Sequence, residues 1–447
     1  MIRKLKFSPY LLVFLSFVAL ILIGTFLFTL PITHRDGQWG SFFDALFLSA
    51  SAVCVTGLSP FSSLIDELTI LGQIILMVLI AIGGLGFITV FTFIVTLSGR
   101  RIGIIDRYII KEALNLSSMK GVINFVRKVI FITLIIEGLG IIPFMFVMVP
   151  RFGWLEGLFQ SVFLSISAFN NAGFDLLGST SLQAYSGNIL VNVTMMVLII
   201  SGGLGFLVWV DILSGRSPRT WTAYSKVVLL MTAILIPLGA VTLWLTEWHQ
   251  PQQLTIMQAI FHSISARTAG FSTIEMNQVT LAGRLLIIVL MFIGANPIST
   301  GGGIKTTTTF IIALAIISFI RGKKVHAFKR SFSNTTVVKA MALTFIAAMF
   351  VFVSIVAIER IESFNTTYPE GVFDASAFMF EAFSAFGTVG YSQGVTPYLT
   401  GGSKIILSLL MLLGRTGPMT MFAIVSESMN KADQTHFDYI EATIPIG

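Results

Sequence analysis

The sequence is poor in charge and in cysteine. Only 11% of its 447 residues are Asp, Glu, Lys or Arg, against roughly 25% in an ordinary soluble domain. Hydrophobic residues make up 55%, so the chain has too little polar surface for a soluble globular enzyme and too much apolar surface for a disordered protein. The composition predicts a polytopic helical membrane protein. The one cysteine, Cys54, excludes a disulfide framework and a cysteine-based metal site.

Long apolar runs predict the transmembrane segments. A run of roughly 18 or more apolar residues with few charges is long enough to cross a bilayer. Such runs fall near 10–31, 68–98, 129–150, 187–213, 226–246, 281–320, 337–358 and 402–426. The run at 281–320 is too long for one span and is interrupted. The first is too long for a signal-peptide core and lacks a small-residue cleavage site, so we expect a retained helix.

Shorter semi-apolar segments alternate with the long runs. They are residues 41–52, 155–168, 254–265 and 373–385. Each is roughly a dozen residues long, which is too short to span a membrane. A single segment of this kind would indicate an amphipathic surface helix. Their matching positions along the chain instead predict re-entrant helices.

The basic residues predict the orientation of the chain. With a cytoplasmic N-terminus, most of the 28 Lys and Arg residues fall in inside segments, as the positive-inside rule requires. Both termini are therefore predicted to be cytoplasmic. The net charge of +7 follows from this bias and does not indicate binding to nucleic acid. Arg267, Lys305 and Arg415 lie at membrane depth and need another explanation.

Each short segment ends in a related string. Ser-Ala is followed by a glycine and then a large apolar residue in 51–58, 167–174, 265–271 and 384–391. The third string is one residue shorter than the others. This repeat predicts an all-α polytopic fold of four fused helix–pore-helix–filter-loop–helix repeats around a pseudo-fourfold central pore. The predicted repeat boundaries are 1–112, 113–222, 223–330 and 331–447.

This arrangement suits a cation pore. Irregular backbone at membrane depth is tolerated only where protein buries it or water bathes it. Loops around one axis can turn backbone carbonyls inward and replace the hydration shell of an ion. The short helices would direct their partly negative C-terminal ends at the same axis, which favours a cation.

The fourth string carries a family resemblance. Thr388-Val-Gly-Tyr-Ser392 resembles the K⁺-channel filter Thr-Val-Gly-Tyr-Gly. With the repeats, essentially the whole chain resembles the superfamily of Trk, Ktr and HKT K⁺ transporters, and within it the bacterial KtrB pore-subunit family. The resemblance implies a passive, K⁺-selective pore subunit of a K⁺ uptake system, and not an enzyme.

The resemblance implies a K⁺-binding filter built from backbone carbonyls. Its residues are Val55, Thr56, Gly57, Asn171, Ala172, Gly173, Thr268, Ala269, Gly270, Thr388, Val389 and Gly390. In plant relatives, serine at the first filter glycine accompanies a preference for Na⁺. Glycine at all four positions resembles the K⁺-selective pattern.

The interrupted sixth run is a candidate gate. Proline and successive glycines within 294–306 cannot continue a helix cheaply. In the family, the matching segment is an intramembrane gating loop, and the arginine matching Arg415 belongs to an electrostatic gate below the filter. The implied gate residues are Asn296, Pro297, Ser299, Thr300, Gly301, Gly302, Gly303, Lys305 and Arg415. A static kink, and a structural cap or ion pair for Arg415, are the alternatives.

Other polar residues lie in or beside the apolar segments. Arg267 is expected behind the third filter string, paired with a carboxylate for which Glu381 is the candidate. Glu137 is interpreted as a helix-contact residue and His262 as a core histidine. The Gly-Gly-Leu-Gly-Phe strings at 83–87 and 202–206 predict close helix packing. Asp44 and Asp175 either attract cations to the outer mouth or serve as ordinary helix caps.

The resemblance also implies partners. It predicts a homodimer with one pore per protomer in a bacterial plasma membrane, with residues around 436–439 contributing to the dimer interface. It predicts a cytoplasmic RCK-type (KtrA-like) regulatory ring that binds ATP or ADP, while this chain holds no cofactor and carries K⁺ as transported ion. The alternative is a Na⁺- or H⁺-coupled secondary transporter, which the interrupted sixth run favours. Four parallel repeats count against it, because such transporters have inverted repeats.

Overall fold

The computed structural model describes residues 9–98, 103–113, 119–215, 217–248, 253–365 and 375–417. These residues are predominantly helical, which confirms the all-α prediction. The α-helices are α1 Pro9–Thr29, α2 Phe42–Cys54, α3 Leu64–Glu67, α4 Ile70–Leu85, α5 Phe87–Leu97, α6 Ile104–Ala113, α7 Val122–Phe152, α8 Trp154–Phe169, α9 Ile189–Gly203, α10 Phe206–Leu213, α11 Ala223–Thr246, α12 Ile256–Ser265, α13 Leu281–Phe292, α14 Thr306–Ile320, α15 Asn334–Glu362, α16 Ala375–Gly387 and α17 Gly401–Thr416. Short 3₁₀ turns occupy Pro31–Thr33, Ser181–Tyr185, Pro218–Thr220, Met276–Gln278 and Thr396–Tyr398. The strands β1 His326–Ala327 and β2 Arg330–Ser331 form an antiparallel hairpin.

Among the described residues, four continuous helices are long and apolar enough to cross a bilayer. They are α1, α7, α11 and α15, and they match the predicted runs at 10–31, 129–150, 226–246 and 337–358. Large apolar side chains on their outer faces are exposed, for example Phe26, Phe146 and Phe345. In a membrane these faces contact lipid.

Two predicted runs are bent rather than straight, which the sequence analysis did not predict. In the run at 68–98, α4 and α5 differ in direction by 95°, and in the run at 187–213, α9 and α10 differ by 96°. The breaks lie at Gly86 and Gly205, which have φ of 80° and 91°. Only glycine enters this region of backbone angles without strain. Hydropathy alone did not reveal these bends, because the apolar character continues through each break.

Close packing explains why the strings at 83–87 and 202–206 begin with glycine. A Cβ added to Gly83 would lie 2.1 Å from Val53 O, and one added to Gly202 would lie 1.7 Å from Phe169 O. These glycines therefore let α4 and α9 touch the C-terminal ends of α2 and α8. This packing agrees with the interpretation made from the sequence.

The four predicted short helices are present as α2, α8, α12 and α16. Each packs against neighbouring helices: α2 against α1, α4 and α17; α8 against α7 and α9; α12 against α11 and α9; and α16 against α13, α15 and α17. Their C-terminal halves are almost wholly buried. The sixth run divides into α13 and α14, with an irregular segment between them. The eighth run is helical in α17, and its residues from 418 onward lie outside the described part of the chain, as do residues 436–439.

A buried ion pair joins the first short helix to the last long one. Lys404 Nζ in α17 lies 2.5 Å from Asp44 Oδ1 in the first turn of α2, and the side chains are 8% and 25% exposed. Asp44 thus balances a lysine charge that the membrane interior would otherwise leave unpaired.

We expect Asp44→Asn to destabilise the protein by up to about 3 kcal/mol, because a buried charge that loses its partner is costly. Thermal unfolding of the detergent-solubilised protein measures this as a lower midpoint. The double variant Asp44→Asn/Lys404→Met removes both charges and should recover most of the loss. Equal midpoints for the wild type and the single variant would show that the pair is not a stabilising contact.

Candidate functional site

Each of the four short helices ends in a backbone turn of a similar kind. In each, the residue before the glycine donates its N–H to the carbonyl of the serine that opens the string. These bonds are Thr56 N to Ser51 O, Ala172 N to Ser167 O, Ala269 N to Ser265 O and Val389 N to Ser384 O, at 2.8 to 2.9 Å. Three of the loops close this bond over five residues, and the shorter third loop closes it over four.

The serine hydroxyls hold the same loops. Ser51 Oγ and Ser384 Oγ accept from the N–H groups of Gly57 and Gly390, both at 3.1 Å. Ser167 Oγ and Ser265 Oγ instead donate to the carbonyls of the residues after the glycine, Phe174 O and Phe271 O, at 2.6 and 2.7 Å. The repeated Ser-Ala pair was visible in the sequence, but the role of its hydroxyl was not assigned from it.

The glycines of the four loops form a closed ring. A Cβ added to Gly57 would lie 2.5 Å from Ala172 O, one on Gly173 would lie 2.7 Å from Ala269 O, one on Gly270 would lie 2.1 Å from Val389 O, and one on Gly390 would lie 2.3 Å from Thr56 O. Each glycine therefore faces the carbonyl that precedes the next glycine. The ring runs from the first loop to the fourth and closes on the first. No side chain fits at these positions without movement of the neighbouring backbone.

The third loop differs from the others. Val55, Asn171 and Thr388 have left-handed backbone angles, with φ of 50° to 58°. Thr268 takes the equivalent place in the third loop, which is one residue shorter, and it is not left-handed. The ring is accordingly only approximately fourfold.

A cavity of about 470 Å³ opens on the side of the ring that the sequence analysis predicts to be the outer one. All four ring glycines line it, together with the acidic residues Asp175 and Glu275. Asp175 Oδ1 accepts from Leu177 N at 3.0 Å, and its Oδ2 accepts from Ser181 Oγ at 2.5 Å. This carboxylate therefore caps its own loop while it lines the cavity, and its attraction of cations stays a prediction.

Residues 294–305 form the irregular segment between α13 and α14. Ala295 N donates to Gly302 O at 3.1 Å, and Thr306 N donates to Ala295 O at 3.2 Å. These bonds close the segment on itself. The segment also pairs with the broken helix α9–α10, where Thr300 N donates to Gly202 O and Phe206 N donates to Ile298 O.

The same segment contacts two of the ring loops. Gly302 N donates to Thr388 Oγ1 at 2.9 Å, and Thr300 Oγ1 lies 3.0 Å from the side-chain amide of Asn171. A Cβ added to Gly301 would lie 2.5 Å from the side chain of Thr268 in the third loop. The structure thus brings the predicted gate residues directly against the predicted filter residues.

Arg415 fastens this segment to a neighbouring helix. Its Nη1 donates to Thr300 O, and its Nη2 donates to Gly83 O and, at 2.7 Å, to Gly84 O. The guanidinium thereby joins α17, the segment 294–305 and the end of α4. Lys305 Nζ donates to Gly301 O at 2.8 Å. Both cations contact backbone carbonyls, as the alternative interpretation of Arg415 expected.

Asn296 and Pro297 anchor the start of the segment. Asn296 Nδ2 donates to Gly203 O at 2.7 Å, and its Oδ1 accepts from Thr306 Oγ1. The carbonyl of Pro297 accepts from Tyr224 Oη in α11. Ser299 Oγ donates to Asn296 O at 2.6 Å.

The predicted pairing of Arg267 with Glu381 was wrong. Glu381 accepts from Ser392 Oγ at 2.5 Å and Thr396 Oγ1 at 3.0 Å, so it supports the segment after the fourth glycine. Arg267 is buried behind the third loop, as expected, but within the described part of the chain its Nε has no hydrogen-bond partner. Arg267 instead lines a cavity together with residues of α9 and α11.

His262 and Glu137 have structural partners. His262 Nδ1 lies 2.7 Å from Tyr391 Oη, and its Nε2 lies 3.1 Å from Thr273 Oγ1. This histidine thus supports the aromatic residue that follows Gly390. Glu137 Oε1 accepts from Asn170 Nδ2 at 2.9 Å, which links α7 to the end of α8.

Comparison with known proteins identifies the family. The family model for TrkH, described as a cation transport protein, matches residues 8–434. The chain belongs to the TrkH cation transport protein family. This membership confirms the resemblance drawn from the filter strings. It also agrees with the prediction that the chain is not an enzyme, and it makes this TrkH-family chain a multi-pass membrane protein.

The relatives of this TrkH-family chain match it over nearly its whole length. The potassium/sodium uptake protein NtpJ of Enterococcus hirae is 37% identical, and the match covers 100% of this chain and 98% of that protein. The Ktr system potassium uptake protein B of Bacillus subtilis is 35% identical with the same coverage. The protein of that name from Vibrio alginolyticus is also 35% identical, with 99% and 96% coverage.

A solved structure supports the fold of this TrkH-family chain. The crystal structure of the potassium transporter TrkH from Vibrio parahaemolyticus superposes with a TM-score of 0.74 at 19% identity, covering 95% of this chain and 86% of that one. The two chains therefore share one arrangement of helices.

Proposed function

We propose that this chain is the pore subunit of a K⁺ uptake system and conducts K⁺ passively through the ring of four glycines. The observation that carries the proposal is the ring itself, in which each glycine faces the carbonyl of the next loop. The carbonyls of Thr56, Ala172, Ala269 and Val389 replace the hydration shell of the ion. The names of the full-length relatives, which include potassium uptake, support the choice of ion.

The short helices assist the ion electrostatically. α2, α8, α12 and α16 end at the ring, and the C-terminal end of a helix carries a partial negative charge. Asp175 and Glu275 in the outer cavity raise the local concentration of cations above the ring. K⁺ then moves down its electrochemical gradient.

Residues 294–305 hold the path below the ring mostly closed in the absence of a regulator, so that the isolated subunit keeps a small basal K⁺ flux. The segment contacts Asn171, Thr268 and Thr388 of the ring loops, and Arg415 fastens it to α4. A fixed positive charge in a cation path raises the barrier to conduction. Opening therefore requires that these hydrogen bonds be exchanged for others.

The wider organisation follows the same proposal. The four repeats divide at 1–112, 113–222, 223–330 and 331–447, with both termini cytoplasmic in a bacterial plasma membrane. The chain forms a homodimer and is controlled by an RCK-type ring that binds ATP or ADP. The names of two relatives, each a component of a "Ktr system", support a multi-component system.

The hydroxyl of Ser384 gives a testable prediction for the ring. Ser384→Ala leaves the buried N–H of Gly390 without its acceptor, which costs about 1–3 kcal/mol. We expect the K⁺ concentration at half-maximal flux to rise at least about fivefold. Ser49→Ala is the matched control. Ser49 lies within α2, and its Oγ donates to Ile21 O in α1 and does not reach the ring. Equal effects of the two variants would refute this role of Ser384.

The proposed function is tested by flux into proteoliposomes that contain this subunit alone. K⁺ and Na⁺ are compared under an imposed membrane potential, with and without a gradient of H⁺ or Na⁺. The proposal predicts K⁺ flux that saturates, exceeds Na⁺ flux and needs no second gradient. Strict dependence on a second gradient would instead establish a coupled transporter, and equal Na⁺ flux would refute K⁺ selectivity.

A further inference from the structure

Arg267 is a buried charge that the conduction path does not explain. Its side chain follows the third short helix, only 7% of the residue is exposed, and its Nε is fully enclosed. Within the described ranges, neither a carboxylate nor a carbonyl accepts a hydrogen bond from its guanidinium. Burying a cation without a partner is among the most expensive events in a protein interior. The site therefore calls for a compensating negative charge.

A small cavity lies beside this guanidinium. It has a volume of about 20 Å³ and is lined by residues of α9, α11, the third loop and the segment 294–305, among them Arg267, Thr268, Thr232 and Asn296. Thr232 Oγ1 is also buried with no hydrogen-bond partner among the described residues. Arg267 of the third loop and Thr232 of α11 thus line one cavity, and each has a buried polar atom without a partner.

The chemistry of the lining favours an anion. No Asp or Glu lines the cavity, and the amide of Asn296 is already engaged with Gly203 O and Thr306 Oγ1. The side-chain donors that remain in the lining are N–H groups of Arg267 and the hydroxyls of Thr232 and Thr268. A single water would satisfy one or two of these donors but would leave the buried charge uncompensated.

The volume selects the size of the anion. A cavity needs roughly 10–15 Å³ to hold one water, so about 20 Å³ accommodates one monatomic ion. Sulfate and phosphate have five heavy atoms and are too large. We propose that the cavity binds one halide ion, chloride under physiological conditions, between Arg267 and Thr232.

The halide has a consequence for the pore. Arg267 immediately precedes Thr268 and Ala269, whose backbone forms part of the ring. An uncompensated cation there repels K⁺ from the third loop, and a bound anion cancels that repulsion. This consequence rests on the proposed K⁺ conduction, whereas binding of the halide itself does not.

Bromide locates the site directly. Crystals of the full chain are soaked in bromide and the anomalous signal is measured for the wild type, Thr232→Leu and Thr242→Leu. Thr232→Leu fills the cavity and removes the hydroxyl. Thr242→Leu is the matched control, because Thr242 lies on the same helix, is half-buried, donates to Leu238 O and does not line the cavity. The proposal predicts a bromide peak beside Arg267 in the wild type and the control, and none in Thr232→Leu. No peak in the wild-type cavity, or water alone there, would overturn it.

The effect of the bound halide on the pore is measured as K⁺ flux. When chloride is replaced by gluconate, we expect the K⁺ concentration at half-maximal flux to rise several-fold in the wild type and in Thr242→Leu. Thr232→Leu and Arg267→Gln should show the same value in both anions. Equal wild-type values in chloride and gluconate would overturn the link between the halide and the ring. Absence of K⁺ flux in every condition would count against the proposed function and leave the bromide result standing.

Discussion

Replacing Gly57 by serine is expected to lower the preference for K⁺ over Na⁺ by at least about tenfold, which corresponds to about 1.4 kcal/mol. The added Cβ would lie 2.5 Å from Ala172 O and 2.9 Å from Gly173 Cα. Both of these neighbours are backbone, so the first and second loops must move apart. The carbonyls then no longer surround a dehydrated K⁺ closely. Flux of K⁺ and Na⁺ into proteoliposomes, measured over a range of concentrations, gives the ratio.

Gly37→Ser is the matched control for this experiment. Gly37 also has a positive φ, 66°, but no atom lies within 4 Å of its added Cβ. The two substitutions therefore share the backbone strain and differ in the clash. The control should keep the wild-type selectivity. Unchanged selectivity in Gly57→Ser would contradict the assignment of the ring as the filter.

Neutralising Arg415 is expected to raise K⁺ flux through the isolated subunit by roughly ten- to a hundredfold. Arg415→Gln loses the charge-assisted hydrogen bonds to Thr300 O, Gly83 O and Gly84 O, and each such bond contributes about 1.5–3 kcal/mol. If the closed state loses the equivalent of one such hydrogen bond, the equilibrium shifts toward the open state by roughly ten- to a hundredfold. The measurement is initial ⁸⁶Rb⁺ uptake at fixed potential.

Two further variants separate the causes of this effect. Arg415→Lys keeps the charge but cannot reach three carbonyls at once, so it isolates the hydrogen bonds from the electrostatic barrier. Shortening 299–304 removes the segment that Arg415 holds and should raise flux even with Arg415 present. Arg360→Gln is the control, because Arg360 lies over the ring of Phe364 at the end of α15. No rise in flux with either Arg415→Gln or the shortened segment would contradict the gating role.

Much of the architecture was predictable because hydropathy and a short repeated string report the same periodicity. The four short helices and the four glycines emerged from the strings at 51–58, 167–174, 265–271 and 384–391. The bends at Gly86 and Gly205 did not, because a helix break inside continuous apolar sequence leaves the hydropathy unchanged. The strings 83–87 and 202–206 carried the signal, since their last glycine directly precedes a new helix.

Contacts between distant residues were the least predictable part. Arg267 and Glu381 were both correctly expected to be buried, yet Glu381 binds hydroxyls that follow it closely in the chain. The sequence shows which residues are charged but does not show which helices pack against each other. The pair of Lys404 with Asp44 illustrates the same limit, because the two residues are 360 positions apart. The hydrogen bonds of the serine hydroxyls differ from these contacts, because each serine binds a backbone group of its own loop.

The central claim is that a dehydrated cation occupies the ring of four glycines, and Rb⁺ tests it most directly. Anomalous diffraction from crystals grown in Rb⁺, with Na⁺ as the comparison, locates the ion. The account predicts an Rb⁺ peak on the axis, surrounded by the carbonyls of Thr56, Ala172, Ala269 and Val389, and its loss in Gly57→Ser. An empty ring in crystals that bind Rb⁺ elsewhere along the path would contradict the account.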